Sequence, residues 1–230
     1  MNQQVTQAIV LSRTDFGEAD RILTVLTAQY GKLRLMAKGV RRVKSKLAGG
    51  IELFSVSDIT FIKGKSDIAT LVSTRLRTHY AHIVADLERT MLGYELIKRL
   101  NKITEDEVEP AYFELLEHAF IALNQPKIPT ALIELWFGTQ LLQLGGHMPN
   151  LQTDETGKRL EETASYTFDF ERVSFAISPH GRYKAADIKF LRLLFSGHRP
   201  EMLAQVQGST ALVPHLSPLV GTMLRDHLRV

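Results

Sequence analysis

The residues of this chain best placed to do chemistry lie in Lys32–Lys46, KLRLMAKGVRRVKSK. Fifteen residues carry seven cations (Lys32, Arg34, Lys38, Arg41, Arg42, Lys44 and Lys46) and no carboxylate. Cations at this density, with no internal counter-charge, attract a polyanion such as a nucleic-acid backbone. The bland alternative is a solvated basic loop with no ligand. Other groups that look reactive fail on spacing. Gly64-Lys65-Ser66 has the tail of a phosphate-binding loop, but Ile59 stands where that motif needs its first glycine. The tripeptide Lys63-Gly64-Lys65 reads instead as a hairpin turn. His79 and His82 are spaced like a metal pair but lack a third ligand nearby in sequence. Glu105, Asp106, Glu107 and Glu109 suit the positive end of a helix dipole better than a magnesium site. Serine-hydrolase, zinc-protease and dinucleotide signatures are absent from the sequence. No catalytic residue is assigned, and a non-enzymatic binding protein is expected.

These cations need elements to hold them. From Val5 to Arg77 the pattern is that of strands. Strand material is read at Ala8–Ser12, Ile22–Thr27, Leu33–Ala37, Ile51–Val56, Asp58–Ile62 and Ile68–His79, with a turn at Asp15–Asp20. In Leu33–Ala37 the apolar and basic residues alternate, as in a strand with one face in a core. From Gly39 to Gly50 the alternation stops, and the bases crowd onto a loop expected to be mobile. Arg75 and Arg77 share a strand face because side chains repeat every two residues. About five strands in this length predict a small barrel of the oligonucleotide/oligosaccharide-binding (OB) type.

After Tyr80 the period becomes helical. Ile83, Leu87, Met91, Leu92, Leu96 and Leu100 form an apolar stripe. Thr104 and Glu107 have capping-box spacing ahead of a helix ending near Leu123. Thr130 is read as the cap of ALIELWFGTQLLQL, which Gly145-Gly146 ends, with Trp136 in the core. Between Asn150 and Gly181 the pattern turns polar and then hairpin-like, before helices resume at Ala185–Ser196, after Pro200 and at the C-terminus. The fold class predicted is α+β: an N-terminal OB barrel over 1–80, then a helical bundle over 81–230 with a small β-hairpin insert at about 148–182.

Composition agrees with a globular chain: 230 residues, 44% hydrophobic and 23% charged. Its net charge of +3 is unevenly spread. Residues 1–80 hold 13 Lys and Arg against 6 Asp and Glu, whereas residues 81–230 hold 15 against 19. The basic character belongs to the predicted barrel. With no cysteine there are no disulfides, thiolate metal sites or cysteine nucleophiles. No secretory signal or membrane span is read, so a cytoplasmic location is expected.

Three segments, AIVLSRTDFGEADRILTVLT, YGKLRLMAKGVRRVKSKLAG and IELFSVSDITFIKGKSDIATL, resemble the bacterial DNA repair and recombination protein RecO family. The LLQLGGHMPNL segment and the layout of the last two thirds are similar as well. The resemblance implies an OB fold, a helical bundle and an inserted subdomain. It also implies binding of single- and double-stranded DNA, annealing of complementary strands and loading of RecA with RecR. A further implied partner is the acidic C-terminal tail of the single-strand-binding protein. Many relatives carry two Cys-x-x-Cys pairs that hold structural zinc in the insert. Here Thr153 and Thr156 occupy the first pair, and Ala176 and Pro179 lie near the second, so no zinc or other cofactor is expected. Packing of Tyr166, Phe168 and Phe175 would hold the hairpin instead. The DNA-contacting residues expected are Arg34, Lys38, Arg41, Arg42, Lys44 and Lys46, with Arg75 and Arg77 from the neighbouring sheet face. The competing reading is a protein-interaction adaptor whose basic loop docks an acidic peptide.

Overall fold

A computed structural model describes residues 2–64, 66–104 and 109–230. The chain divides into two compact units, Met1–Pro126 and Lys127–Val230.

Five strands form the front of the first unit: β1 (Gln3–Phe16), β2 (Asp20–Thr27), β3 (Gly31–Ala37), β4 (Ser55–Ile62) and β5 (Ile68–His79). They close in the order β1-β2-β3-β5-β4, with β4 returning to β1. This is the OB arrangement expected from the strand pattern. β1 is long enough to serve both neighbours. Its first half pairs with β4 and its second with β2, and a bulge between Val10 and Ser12 bends it from one to the other. Closure rests on a short parallel contact, Arg34–Met36 against Ile68–Thr70. Alternate residues fill the interior: Ala8, Val10, Leu23, Val25, Leu35, Ile59, Phe61, Ala69 and Leu71. β5 spans the predicted Ile68–His79.

Of the expected strand Ile51–Val56 only Ser55 and Val56 are extended in a sheet, and Ile51–Phe54 is not a strand. A 3-10 turn (Ala48–Gly50) leads into irregular chain, and β4 begins only at Ser55. Ile51 is buried as a plug in the barrel core, and Phe54 takes a left-handed backbone with φ 54°. That conformation interrupts an extended run and is unusual outside glycine.

Three helices complete this unit: α1 (Ala81–Ala85), α2 (Leu87–Ile103) and α3 (Pro110–Leu123). The expected stripe fails at Leu87 and Met91, which are 77% and 64% exposed. The cause is a break at Asp86, whose carboxylate accepts from the Arg89 N–H and restarts the helix in a new phase. The buried face of α2 is therefore Arg89, Gly93, Leu96, Ile97 and Leu100. Arg89 crosses to the end of α3, donating to the carbonyls of Leu123 and Pro126 at 2.8 and 2.9 Å. A cation belongs at that negative helix end. Thr104 ends α2 rather than capping α3, and its hydroxyl bonds back to Leu100 O. The Glu107 half of the expected capping box, together with Glu105, Asp106 and Lys65, lies outside the described residues.

Phe54, Tyr80, Tyr94 and Phe120 meet edge to face at centroid separations of 5.1–5.7 Å, joining the foot of β4 to α2 and α3. Burial in this seam, helped by the Glu117 charge, pushes the Tyr80 hydroxyl up to about 12.

The second unit is built on α4 (Thr130–Leu144), α5 (Ala185–Phe195), α6 (Pro200–Leu203) and α7 (Ser209–Met223), the last running into a π turn at Leu224–Leu228. Thr130 is the first helical residue of α4, and Pro129 takes the cap position. Trp136 is buried, as its apolar neighbours require. The insert is a three-stranded sheet ordered β6-β8-β7, comprising β6 (Asn150–Asp154), β7 (Tyr166–Asp169) and β8 (Ser174–Ile177). Its core is aromatic: Phe175 meets Phe168, Tyr183 and Tyr166 at 5.0, 5.7 and 6.3 Å. Thr153, Thr156, Ala176 and Pro179 offer neither thiolate nor imidazole, so this donor set does not fit zinc. Asp154 organises the turn instead. Its carboxylate accepts from the Thr156 and Lys158 N–H groups and the Thr156 hydroxyl, at 2.8, 3.0 and 2.7 Å. These bonds, led by that from the hydroxyl, hold its carboxyl below the ordinary value.

Candidate nucleic-acid interface

The basic loop lies between Ala37 at the end of β3 and Ser55 at the start of β4, and apolar residues tie it to the barrel. Val40 and Ile51 are buried in the barrel core, and Leu47, Ala48 and Leu53 pack against them. The Thr74 hydroxyl on β5 donates to Leu47 O at 3.1 Å. Its upstream end is fastened by the β1–β2 turn. Asp20 accepts from the Gly39 N–H at 2.7 Å, and the Arg41 N–H donates to Ala19 O at 2.9 Å. The loop expected to be mobile is thus anchored at both ends.

With Val40 and Leu47 turned inward, the residues between them turn out. Lys38, Arg41, Arg42, Lys44 and Lys46 are all exposed, as is Val43. Arg41 leans back on the β1–β2 turn, 3.6 Å from the Asp15 carboxylate and within reach of Gly17 O. Arg21 also binds Asp15, at 2.7 Å. The Arg21 hydrogen bond, with the Arg41 charge adding to it, holds the Asp15 carboxyl below its ordinary value. Lys38, Arg42, Lys44 and Lys46 have no carboxylate partner among the described residues. Their charge is uncompensated, and so is most readily lent to a phosphate.

The strand cations divide in a similar way. Arg34 is exposed on β3, and Arg75 is exposed on β5 opposite Asp58. Arg77 sits at a bulge one step further, paired with Asp58 at 3.0 Å. Arg75 and Arg77 border one shallow pocket with Asp58 and Thr78, as their shared face predicts. Lys32, counted in the basic stretch, has structural work: its ammonium binds the Asn101 and Thr104 carbonyls at the end of α2. No sequence signal distinguishes it from its neighbours, because its partners lie some seventy residues away.

A cleft that the sequence did not announce opens beside Arg34. It encloses about 490 Å³ and is lined by Tyr30, Lys32, Leu33, Arg34, Lys63, Asp67 and Ala69. Elsewhere, His79 and His82 are exposed at the junction of β5 and α1. Among the described residues no three or more His, Cys, Asp or Glu are grouped to hold a metal. Nor is any helix among them long and apolar enough to cross a membrane.

The class is that of a closed OB barrel whose β3–β4 loop presents exposed cations without carboxylate partners among the described residues. Residues 1–80 match the family model described as Recombination protein O N terminal. The chain is similar to the DNA repair protein RecO of Dehalococcoides mccartyi (strain 195), 32% identical over 148 residues, covering 64% of this chain and 58% of that protein. It is 33% identical to the DNA repair protein RecO of Thermobifida fusca over 161 residues, covering 70% and 59% of the two chains. The protein of the same name from Halalkalibacterium halodurans is 32% identical over 146 residues, covering 63% and 57%. The matched region thus spans under three fifths of the length of each of these relatives. The resemblance read from the three N-terminal segments is borne out.

Proposed function

We propose that this protein is a DNA-binding recombination mediator without a catalytic step of its own. It binds single- and double-stranded DNA without sequence preference and anneals complementary strands. With RecR it helps load RecA onto strands coated by single-strand-binding protein, whose acidic tail it engages. It acts at the nucleoid. One observation carries this reading: Lys38, Arg42, Lys44 and Lys46, exposed and without carboxylate partners among the described residues, project from a loop pinned to an OB barrel. Arg34, Arg41, Arg75 and Arg77 extend the cationic surface, although Arg41 and Arg77 must share their charge with Asp15 and Asp58.

Contacts to the phosphate backbone position a strand but carry no sequence information. Charge neutralisation lowers the repulsion between two strands while leaving their base edges free to pair, which is what annealing requires. With about five phosphates neutralised, single-strand affinity falls with salt with a log–log slope of roughly −3 to −4.

The test is titration of a labelled single strand at several salt concentrations, with the native protein and a variant in which Arg41, Arg42, Lys44 and Lys46 are all Ala. The reading requires weaker binding and a slope shallower by roughly 3, or somewhat less because Arg41 is shared. Unchanged affinity and slope would move the peptide-docking adaptor ahead of it.

A further inference from the structure

The cleft beside Arg34 is lined by residues of the barrel strands and their connections, none of them from the β3–β4 loop. It opens where the parallel β3–β5 contact is only three residue pairs long, between the start of β3 and the β4–β5 connection. Arg34 from β3 and Lys63 from the end of β4 supply cations there. Neither has a carboxylate partner among the described residues. Lys32 shares the lining, but its ammonium is committed to α2. Tyr30 supplies an aromatic ring, resting edge-on against the buried Phe61 at 5.5 Å and remaining 40% exposed. Asp67 is the one carboxylate of the lining among the described residues.

We infer that this cleft is a subsite for one unpaired nucleotide, in which Tyr30 stacks the base while Arg34 and Lys63 hold its phosphate. The inference rests on the DNA-binding reading and deepens it. A cleft of about 490 Å³ falls in the size range of small-ligand sites. Base stacking on an aromatic ring tolerates every base, because each has a π face. The Asp67 carboxylate repels a second phosphate and accepts N–H donors from a base edge, so only one end of a nucleotide suits each side of the lining. A base inside a duplex is stacked and paired on both strands and cannot enter. The loop therefore binds any phosphate backbone, and the cleft adds affinity for single strands alone. Arg34 lies four residues before Lys38 along β3, roughly 13 Å at strand rise, so one strand can run from loop to cleft.

The experiment compares Tyr30→Ala, Tyr30→Phe and Tyr30→Leu in anisotropy titrations with labelled oligothymidylate and a labelled duplex, at one salt concentration. Tyr30→Ala is expected to weaken single-strand binding about tenfold and leave duplex binding unchanged. Tyr30→Phe keeps the native ratio because it keeps the ring. Tyr30→Leu fills the space against Phe61 without an aromatic face and behaves like Tyr30→Ala. Equal weakening on both ligands, no weakening, or full binding by Tyr30→Leu would overturn the subsite. The four-residue loop variant, run alongside, separates the two claims. If it binds both ligands as the native protein does while Tyr30→Ala loses single strands alone, the loop reading falls and the cleft stands. If the native protein binds neither ligand, both fall.

Discussion

Gly93 faces the ring that ends the basic loop, and two opposing effects decide what Gly93→Ala does there. In a helix interior alanine is favoured over glycine by about 0.8–1.0 kcal/mol. A methyl group at this position, however, would stand 2.6 Å from Phe54 Cε1 and 3.2 Å from Cζ. Real contacts are never so short, so either the ring or the helix must move. The ring has little room: Phe54 is 1% exposed and lies edge to face with Tyr94 at 5.1 Å and Phe120 at 5.6 Å. Its backbone is fixed as well, since Phe54 O accepts from the Tyr80 N–H at 3.0 Å. Overpacking at such sites costs about 1–3 kcal/mol. The clash therefore outweighs the propensity gain, for a net loss of about 1 kcal/mol and up to 2. At roughly 4 °C per kcal/mol, the melting midpoint of the first unit falls by about 4–8 °C. Thermal circular dichroism measures this, with Phe54→Leu and the double variant completing a cycle. In the Phe54→Leu background the clash is relieved, and Gly93→Ala should be neutral or stabilising. A higher midpoint for Gly93→Ala in the native background would refute the claim that the seam is rigid.

The paired and unpaired cations should separate in salt titrations. Lys38, Arg42, Lys44 and Lys46 changed together to Ala flatten the single-strand slope by about 2.8, whereas Arg41→Ala with Arg77→Ala changes it by less than about 1.4, because Asp15 and Asp58 already neutralise those two. Gly181→Ala drives a Cβ into the Tyr166 backbone. It should break the Tyr166–Tyr183 bridge and raise amide exchange across β7 and β8, with DNA affinity kept. Asp154 has a folded-state pKa below its ordinary 3.8, so its contribution to stability is fully present above that value and fades as pH falls through the lower one. Asp154→Ala should remove that acid-side loss along with local order in the turn, both visible by NMR. Chelation should leave the melting curve of the native protein unmoved, and zinc at one per chain by elemental analysis would sink the metal-free account of the insert.

Legibility from sequence followed the range of the forces involved. β5 could be read with its ends because alternation, a turn before it and a change of period after it are all local signals. Ile51–Phe54 misled because a largely apolar stretch looks the same whether it extends a sheet or plugs a barrel. The helical stripe failed at Leu87 and Met91 for a related reason: one cap at Asp86 shifts the phase, and periodicity read across it counts the wrong face. Among the cations, residue type and spacing located the cluster but not its division of labour. Asp15 is twenty-six residues from Arg41 and Asp58 is nineteen from Arg77, so pairing was a property of the barrel register alone. The Tyr30 cleft is still less local, since its lining comes from three separate stretches of chain.

The placement of the loop charges follows from the same barrel. Val40 and Ile51 of the loop join the core of the closed barrel, and Leu47 and Ala48 pack against it. Burying Val40 and Ile51 and partly burying Leu47 and Ala48 supplies the apolar stabilisation that holds the loop down. Cations cannot follow them inward without a partner, because an unpaired buried charge is costly. Lys38, Arg42, Lys44 and Lys46 are therefore driven outward by the anchors beside them, and Val43 is carried out with them. No carboxylate lies between Lys38 and Lys46, and the Asp15 contact with Arg41 offsets this charge only at the upstream end. On the proposed function, a phosphate backbone would relieve the rest. The uncompensated charge is thus held in place by apolar anchors before any ligand arrives, so binding need not bear the cost of ordering the loop backbone.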